Sequence, residues 1–162
     1  MDRLILLRHG KAEADAPTGQ DFDRALTGRG RSDVALVARK LAEAGHVPDL
    51  ALVSPAARAK ETWEAAALFF PETEVQWTPT LYHIDPGGIL ELAKQQSARN
   101  LMVVGHNPGL GELAAFLARQ VGPIDFPGFP TAAAAIITFD HADPAPASAF
   151  ELYTPKGLGG GA

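Results

Sequence analysis

Leu4-Ile5-Leu6-Leu7-Arg8-His9-Gly10 is the stretch on which the fold turns. Its four consecutive apolar residues form a short β-type run, and Ala51-Leu52-Val53 and Leu101-Met102-Val103-Val104 repeat that character. All three suit buried parallel strands, which read as unbroken apolar runs because both faces are covered. Between them the chain turns helical. Gly30 to Ala44 sets Val34, Val37, Leu41 and Ala44 at helical spacing, with Gly45 as the stop. Ser54-Pro55 reads as an N-cap followed by proline at the first helical position, opening a helix through about Phe70. Val75-Gln76-Trp77 predicts another strand, Gly87–Gln96 and Gly111–Gln120 short helices, Ala133–Phe139 an apolar strand, and Phe150-Glu151-Leu152-Tyr153 an edge strand. Strands alternating with helices predict an α/β fold with a doubly wound, mostly parallel sheet flanked by helices.

The 162 residues suit a single domain. The expected division is a domain over 1–156 and a flexible glycine-rich tail, Gly157–Ala162. Pro123, Pro127 and Pro130 punctuate an irregular segment, and Asp143-Pro144-Ala145-Pro146 reads as a loop; neither is long enough for a domain linker. At 46% apolar and 20% charged residues the composition is that of an ordinary globular protein. The lack of cysteine removes disulfides, thiolate metal sites and cysteine nucleophiles together. The first apolar run is too short for a signal peptide or a membrane span, so a cytoplasmic protein without membrane contact is expected. Net charge is −5, yet residues 1–60 hold ten of the fourteen Lys and Arg and only eight of the nineteen Asp and Glu. An acidic chain of this kind is unsuited to generic nucleic-acid binding, although a few clustered arginines can still grip one small anion.

Three motifs occupy equivalent places. Arg8-His9-Gly10 follows the first strand, Arg58 lies in the first helical turn after the second, and Gly105-His106-Asn107 follows the Leu101–Val104 strand. Ligands of open α/β sheets bind outside the carboxyl ends of the strands, so two histidines and two arginines are expected to meet there. The set is coherent for phosphoryl transfer. A neutral imidazole attacks phosphorus to give a covalent intermediate, and arginine forks complement phosphate oxygens. Gly10 is expected to let the backbone approach the phosphate, and His106, if protonated, to add a donor. Any one of these residues alone is more often structural. Ser54 is assigned to helix capping, and Thr62 to its own helix.

Leu7-Arg8-His9-Gly10, the segment Ser54-Pro55-Ala56-Ala57-Arg58-Ala59-Lys60-Glu61-Thr62 and Gly105-His106-Asn107-Pro108 together resemble the histidine phosphatase superfamily, which also holds the cofactor-dependent phosphoglycerate mutases. The short length, Asp23-Arg24-Ala25-Leu26-Thr27-Gly28-Arg29-Gly30 and the small-residue stretch Thr131 to Ile137 are similar to the compact bacterial phosphohistidine phosphatases of the SixA type. The resemblance implies a phosphoglycerate mutase-like fold, His9 as nucleophile, and Arg8, Arg58 and His106 around the phosphoryl group, with Arg24 as an additional phosphate contact. It implies no cofactor and no metal. Many members of the superfamily carry a glutamate as general acid after the third strand, where this chain has Leu81-Tyr82-His83-Ile84-Asp85. Asp85 is the favoured substitute, with His83 and Glu13 as the other candidates and a plain turn at Asp85-Pro86-Gly87 as the bland alternative.

A missing strong acid suits a phosphoramidate, and the absence of a long insertion over the site suits a phosphorylated partner protein; phosphohistidine on a partner is therefore the expected substrate. The alternatives are a phosphomonoesterase acting on a sugar phosphate or similar small molecule, and an inactive module that only binds phosphorylated ligands. His9, His46, His83, His106 and His141 lack the close spacing of common zinc motifs, and no glycine-rich phosphate loop of a nucleotide-dependent kinase is present.

Overall fold

A computed structural model describes residues 1–140 and 146–160. These form a six-stranded sheet from β1 (Arg3–Arg8), β2 (Leu50–Val53), β3 (Glu74–Trp77), β4 (Asn100–Gly105), β5 (Ala134–Phe139) and β6 (Ala147–Tyr153), in the spatial order β3-β2-β4-β1-β5-β6. The first four in that order run parallel, whereas β5 is antiparallel to β1 and β6 to β5. Because of that reversal β5 begins, at Ala134 opposite Leu7, beside the carboxyl end of β1.

The unbroken apolar runs follow from the period of two along a strand. Ile5, Leu7, Ala51, Val53, Met102 and Val104 turn to one face, where α1 (Gly28–Glu43) and α2 (Ala57–Ala67) cover them with Val34, Val37, Leu41 and Trp63. Leu4, Leu6, Leu52, Leu101 and Val103 turn to the other, against Ile89 of α3 (Pro86–Lys94) and Leu110, Leu113 and Leu117 of α4 (Gly109–Val121). With both faces dry, no position on these strands can be polar at low cost. Each fully buried aliphatic side chain contributes roughly 1.5–3 kcal/mol relative to exposure. Among the described residues no helix is long and apolar enough to cross a membrane.

Helix boundaries depart from the sequence reading where cap chemistry differs. Thr27 caps α1 by accepting the Gly30 N–H at 2.9 Å, so the helix starts at Gly28 instead of Gly30. Ser54 does not cap α2. The helix begins at Ala57 behind Ala56, with no side-chain cap, and ends at Ala67, short of Phe70. Pro55 disfavours helical backbone at the residue before it, and the Ser54 hydroxyl is engaged elsewhere. Asp85 caps α3, its Oδ1 accepting the Gly88 N–H at 2.7 Å. Gly157 and Leu158, the first residues of the expected tail, belong to a 3-10 turn that starts at Lys156, and the Gly160 N–H donates to Pro155 O at 2.7 Å. His141, residues 143–145 of the expected proline loop and residues 161–162 lie outside the described residues.

Candidate active site

The hydrogen-bond register of the sheet brings the two histidines together. Arg8 pairs with Gly105 across β1 and β4, and the His9 N–H donates to Gly105 O at 3.1 Å. His9 and His106 are thus the next residues beyond two neighbouring parallel strands, with ring centroids 5.3 Å apart. Arg58 arrives from the first turn of α2. His9 and Arg58 are 8% and 6% exposed, a depth at which polar side chains require partners.

His9 Nδ1 lies 2.7 Å from Gly10 O. A carbonyl only accepts, so Nδ1 carries the hydrogen and Nε2 the lone pair. The His9 pKa falls to about 4, chiefly through burial; the Gly10 carbonyl opposes the shift, while Arg58, Arg8 and Arg24 add to it. His106 falls to about 3, again through burial first, then through His9, Arg58 and His83 against the opposing Asp21. Both rings are therefore neutral at pH 7, and His106 offers one N–H where an imidazolium would offer two. Its Nε2 is 2.8 Å from Ser54 Oγ.

Arg8 donates from Nη1 to Phe129 O at 3.0 Å, and its pKa is lowered by burial and then by Arg58. Arg58 donates from Nη1 to Asp21 O at 2.8 Å and from Nη2 to Asp21 Oδ2 at 3.0 Å. Five buried side-chain polar atoms lack a partner among the described residues, and three belong here: Arg8 Nε, Arg58 Nε and His106 Nδ1. Arg8 Nε and Arg58 Nε are donors whatever the tautomer of His106, and buried donors are seldom left unsatisfied; an anion in the site would supply their missing acceptor.

Several positions in this network were not assigned to it from the sequence. Asp21, in the 3-10 turn Asp21–Asp23, holds Arg58, accepts from Arg24 Nε at 3.0 Å and accepts the Tyr82 hydroxyl at 2.5 Å. These donors, Tyr82 first, keep its carboxyl far below the usual carboxylate range, and Asp21 in turn raises the Tyr82 pKa. Arg24, expected on phosphate, spends Nε on Asp21 and Nη1 on Glu13 O at 2.8 Å. Thr62, expected to serve only its own helix, is fully buried, accepts the Gly10 N–H at 3.0 Å and donates to Arg58 O at 2.7 Å. It ties the His9 loop to the arginine helix. The spacing of Thr62 four residues after Arg58, on one helix face, was the available signal.

Gly10 is explained by packing: its N–H is taken by Thr62, and a Cβ there would stand 2.7 Å from Gly30 O of α1. The close approach seen here is to α1. Asp85 and His83 border a cavity of about 340 Å³ beside His106, while Glu13 sits on an exposed loop. Among the described residues no three His, Asp or Glu side chains are grouped as a metal site.

The profile of the histidine phosphatase superfamily (branch 1) matches residues 4–101. A SixA protein of Agrobacterium tumefaciens, a candidate phosphohistidine phosphatase, superposes with a TM-score of 0.75 at 33% identity, covering 85% of this chain and 91% of that one. The protein histidine phosphatase SixA complexed with tungstate superposes at 0.74 with 26% identity, covering 96% and 99%. A chloroplast protein of Arabidopsis thaliana, itself uncharacterized, is 34% identical over 128 residues, which cover 72% of this chain and 59% of that relative. With the matched residues spanning β1 through the start of β4, and with His9, Arg58 and His106 meeting at one sheet edge, the chain belongs to the histidine phosphatase superfamily.

Proposed function

We propose that the protein removes phosphoryl groups from phosphohistidine on a partner protein by way of a covalent phosphohistidine at His9. The observation that carries this reading is the state of His9: Nδ1–H is committed to Gly10 O at 2.7 Å, which leaves the Nε2 lone pair unprotonated at pH 7. In the first step Nε2 attacks phosphorus. The new N–P bond forms as the bond to the leaving nitrogen breaks, and its electron pair departs with the substrate imidazole. That imidazole leaves neutral because its other nitrogen keeps a proton. Positive charge then develops on the His9 ring, where the Gly10 carbonyl faces the Nδ1–H. Arg8 and Arg58 take the equatorial oxygens through forked donors, the largest electrostatic help available to a transferring phosphoryl group. In the second step water attacks phosphorus and one of its protons passes to a phosphoryl oxygen, the pair of the N–P bond returns to Nε2 to restore the neutral imidazole, and inorganic phosphate leaves as the monoanion. Asp85, at the cavity beside His106, is the acid we assign to leaving groups that need a proton.

A second reading, a phosphomonoesterase for small molecules, is favoured by one observation. The cavity of about 340 Å³ falls within the usual size of small-ligand sites. Rates on phosphohistidine peptide, phosphoserine, phosphotyrosine and sugar phosphates separate the two. For the covalent step, protein quenched during turnover should carry an acid-labile, base-stable phosphoryl group on His9, absent from a folded His9→Ala protein. Turnover of phosphohistidine peptide by His9→Ala at near wild-type rate would reject His9 as the nucleophile.

A further inference from the structure

The cavity beside His106 is bounded by Tyr82, His83, Asp85, Asn107 and Glu112, among others. Two of these are carboxylates, and no lysine or arginine borders the cavity among the described residues. The arginines of the site are engaged elsewhere: Arg58 and Arg24 each lie 3.0 Å from an Asp21 oxygen, and Arg8 reaches Phe129 O. Asp21 is itself 54% exposed at the mouth of the site, and its ionised form is held by three donors. Arg8, Arg24 and Arg58 against Asp21, with both histidines neutral, leave two net positive charges, a match for the two negative charges of a phosphoryl dianion. Among the described residues no lysine or arginine on the cavity is left for a further anion.

Attack from His9 expels the leaving group away from His9, and the cavity adjoins the phosphoryl site through His106 and Tyr82. We infer that this cavity receives the leaving group and that Glu112, joined by Asp85 when Asp85 holds no proton to donate, selects a neutral or cationic leaving group over an anionic one. The inference rests on the phosphatase reading and narrows its substrate class. An imidazole fits, and so does a phosphorylated side chain with basic neighbours. A phosphorylated hydroxy acid does not, because its carboxylate would face Glu112 with no lysine or arginine on the cavity as counter-ion, at a repulsion that low effective dielectric enlarges.

Glycerol 3-phosphate and 3-phosphoglycerate form the test pair, since they differ only by a hydroxymethyl group in place of a carboxylate. Their Kd values are measured on His9→Ala, and their inhibition constants on the wild-type enzyme, so that the result does not depend on one variant folding. Glycerol 3-phosphate should bind about tenfold more tightly, the effect of one like charge a few Å away. Glu112→Lys should erase or reverse that preference, and Glu112→Gln should weaken it. Equal affinities, a preference for 3-phosphoglycerate, a preference untouched by Glu112→Lys, or failure of both ligands to bind would each overturn the inference. If the preference holds while no phosphoryl group ever appears on His9, the phosphatase reading fails and the charge selection of the cavity stands.

Discussion

Replacing Thr62 by valine keeps the shape of a fully buried side chain and deletes one hydroxyl, the group that accepts from Gly10 N at 3.0 Å and donates to Arg58 O at 2.7 Å. The Gly10 N–H, buried beside α1, then has no acceptor. Orphaning a buried donor costs about 1–3 kcal/mol. In a domain of this size each kcal/mol lowers Tm by about 2–4 °C, so Thr62→Val should melt about 2–12 °C early. The kinetic effect is larger than stability alone implies, because Gly10 O fixes the His9 tautomer and the backbone of Gly10 is no longer held. A shift of the nucleophile by a fraction of an ångström should lower kcat about 10- to 100-fold. Thr62→Ser is the control: it keeps the hydroxyl, loses one methyl worth about 0.8 kcal/mol, and should stay within about threefold of wild-type kcat. Thermal melts and steady-state rates on an aryl phosphate measure both quantities. If valine costs no more than serine in Tm and kcat is intact, Thr62 does not couple the nucleophile to the arginine helix.

Because burial holds the His9 pKa at about 4, the acidic limb of kcat/KM, corrected for substrate ionisation, should fall near pH 4, where protonation removes the attacking lone pair; a limb near 6.5 would contradict the buried neutral state. The same shift makes folding pH-dependent. Between the ordinary histidine value of about 6.5 and about 4 the unfolded chain binds the extra proton, so His9 should cost about 3 kcal/mol of stability as pH falls through that window, measured by denaturant titration. Gly30→Ala would drive a Cβ into Lys11 O, backbone that cannot rotate away, and should destabilise by about 1–3 kcal/mol or more; a change below about 0.5 kcal/mol would show that the loop yields. Excess chelator should leave turnover unchanged, since the attacking group is a side chain; loss restored by zinc or magnesium would point to a metal-bound water instead.

The strands were readable because burial on both faces suppresses polar residues altogether, which leaves runs such as Leu4–Leu7 and Leu101–Val104 that no surface element reproduces. That Arg8, His9, Arg58 and His106 gather at one sheet edge was readable because Arg8 closes β1, His9 and His106 are the first residues beyond β1 and β4, and Arg58 lies in the first turn of α2. Tyr82 and Asp21 were not. They sit on two 3-10 turns without periodicity, 61 residues apart, and only the tertiary fold makes them partners. Ser54 was misread for a different reason: Ser-Pro before a helix is a common capping signal, but its hydroxyl is within reach of His106, just beyond the end of the neighbouring strand β4. Arg24 was expected on phosphate, and sequence offered no sign that Asp21 and the Glu13 carbonyl would engage it.

The pairing of Arg8 with Gly105 has a further consequence for how this protein fails on heating. The spacing of the two imidazoles is inherited from adjacent strands at the centre of the sheet, and no hinge or closing loop intervenes between either ring and its strand. Fraying of the exposed edge strand β3 or of the C-terminal turn leaves that spacing intact. Amide exchange at Leu6, Leu7, Val103 and Val104 should accordingly be among the slowest in the molecule and report global unfolding. Activity should persist through any local opening at the periphery and vanish only with the cooperative transition, so that inactivation and melting curves superimpose.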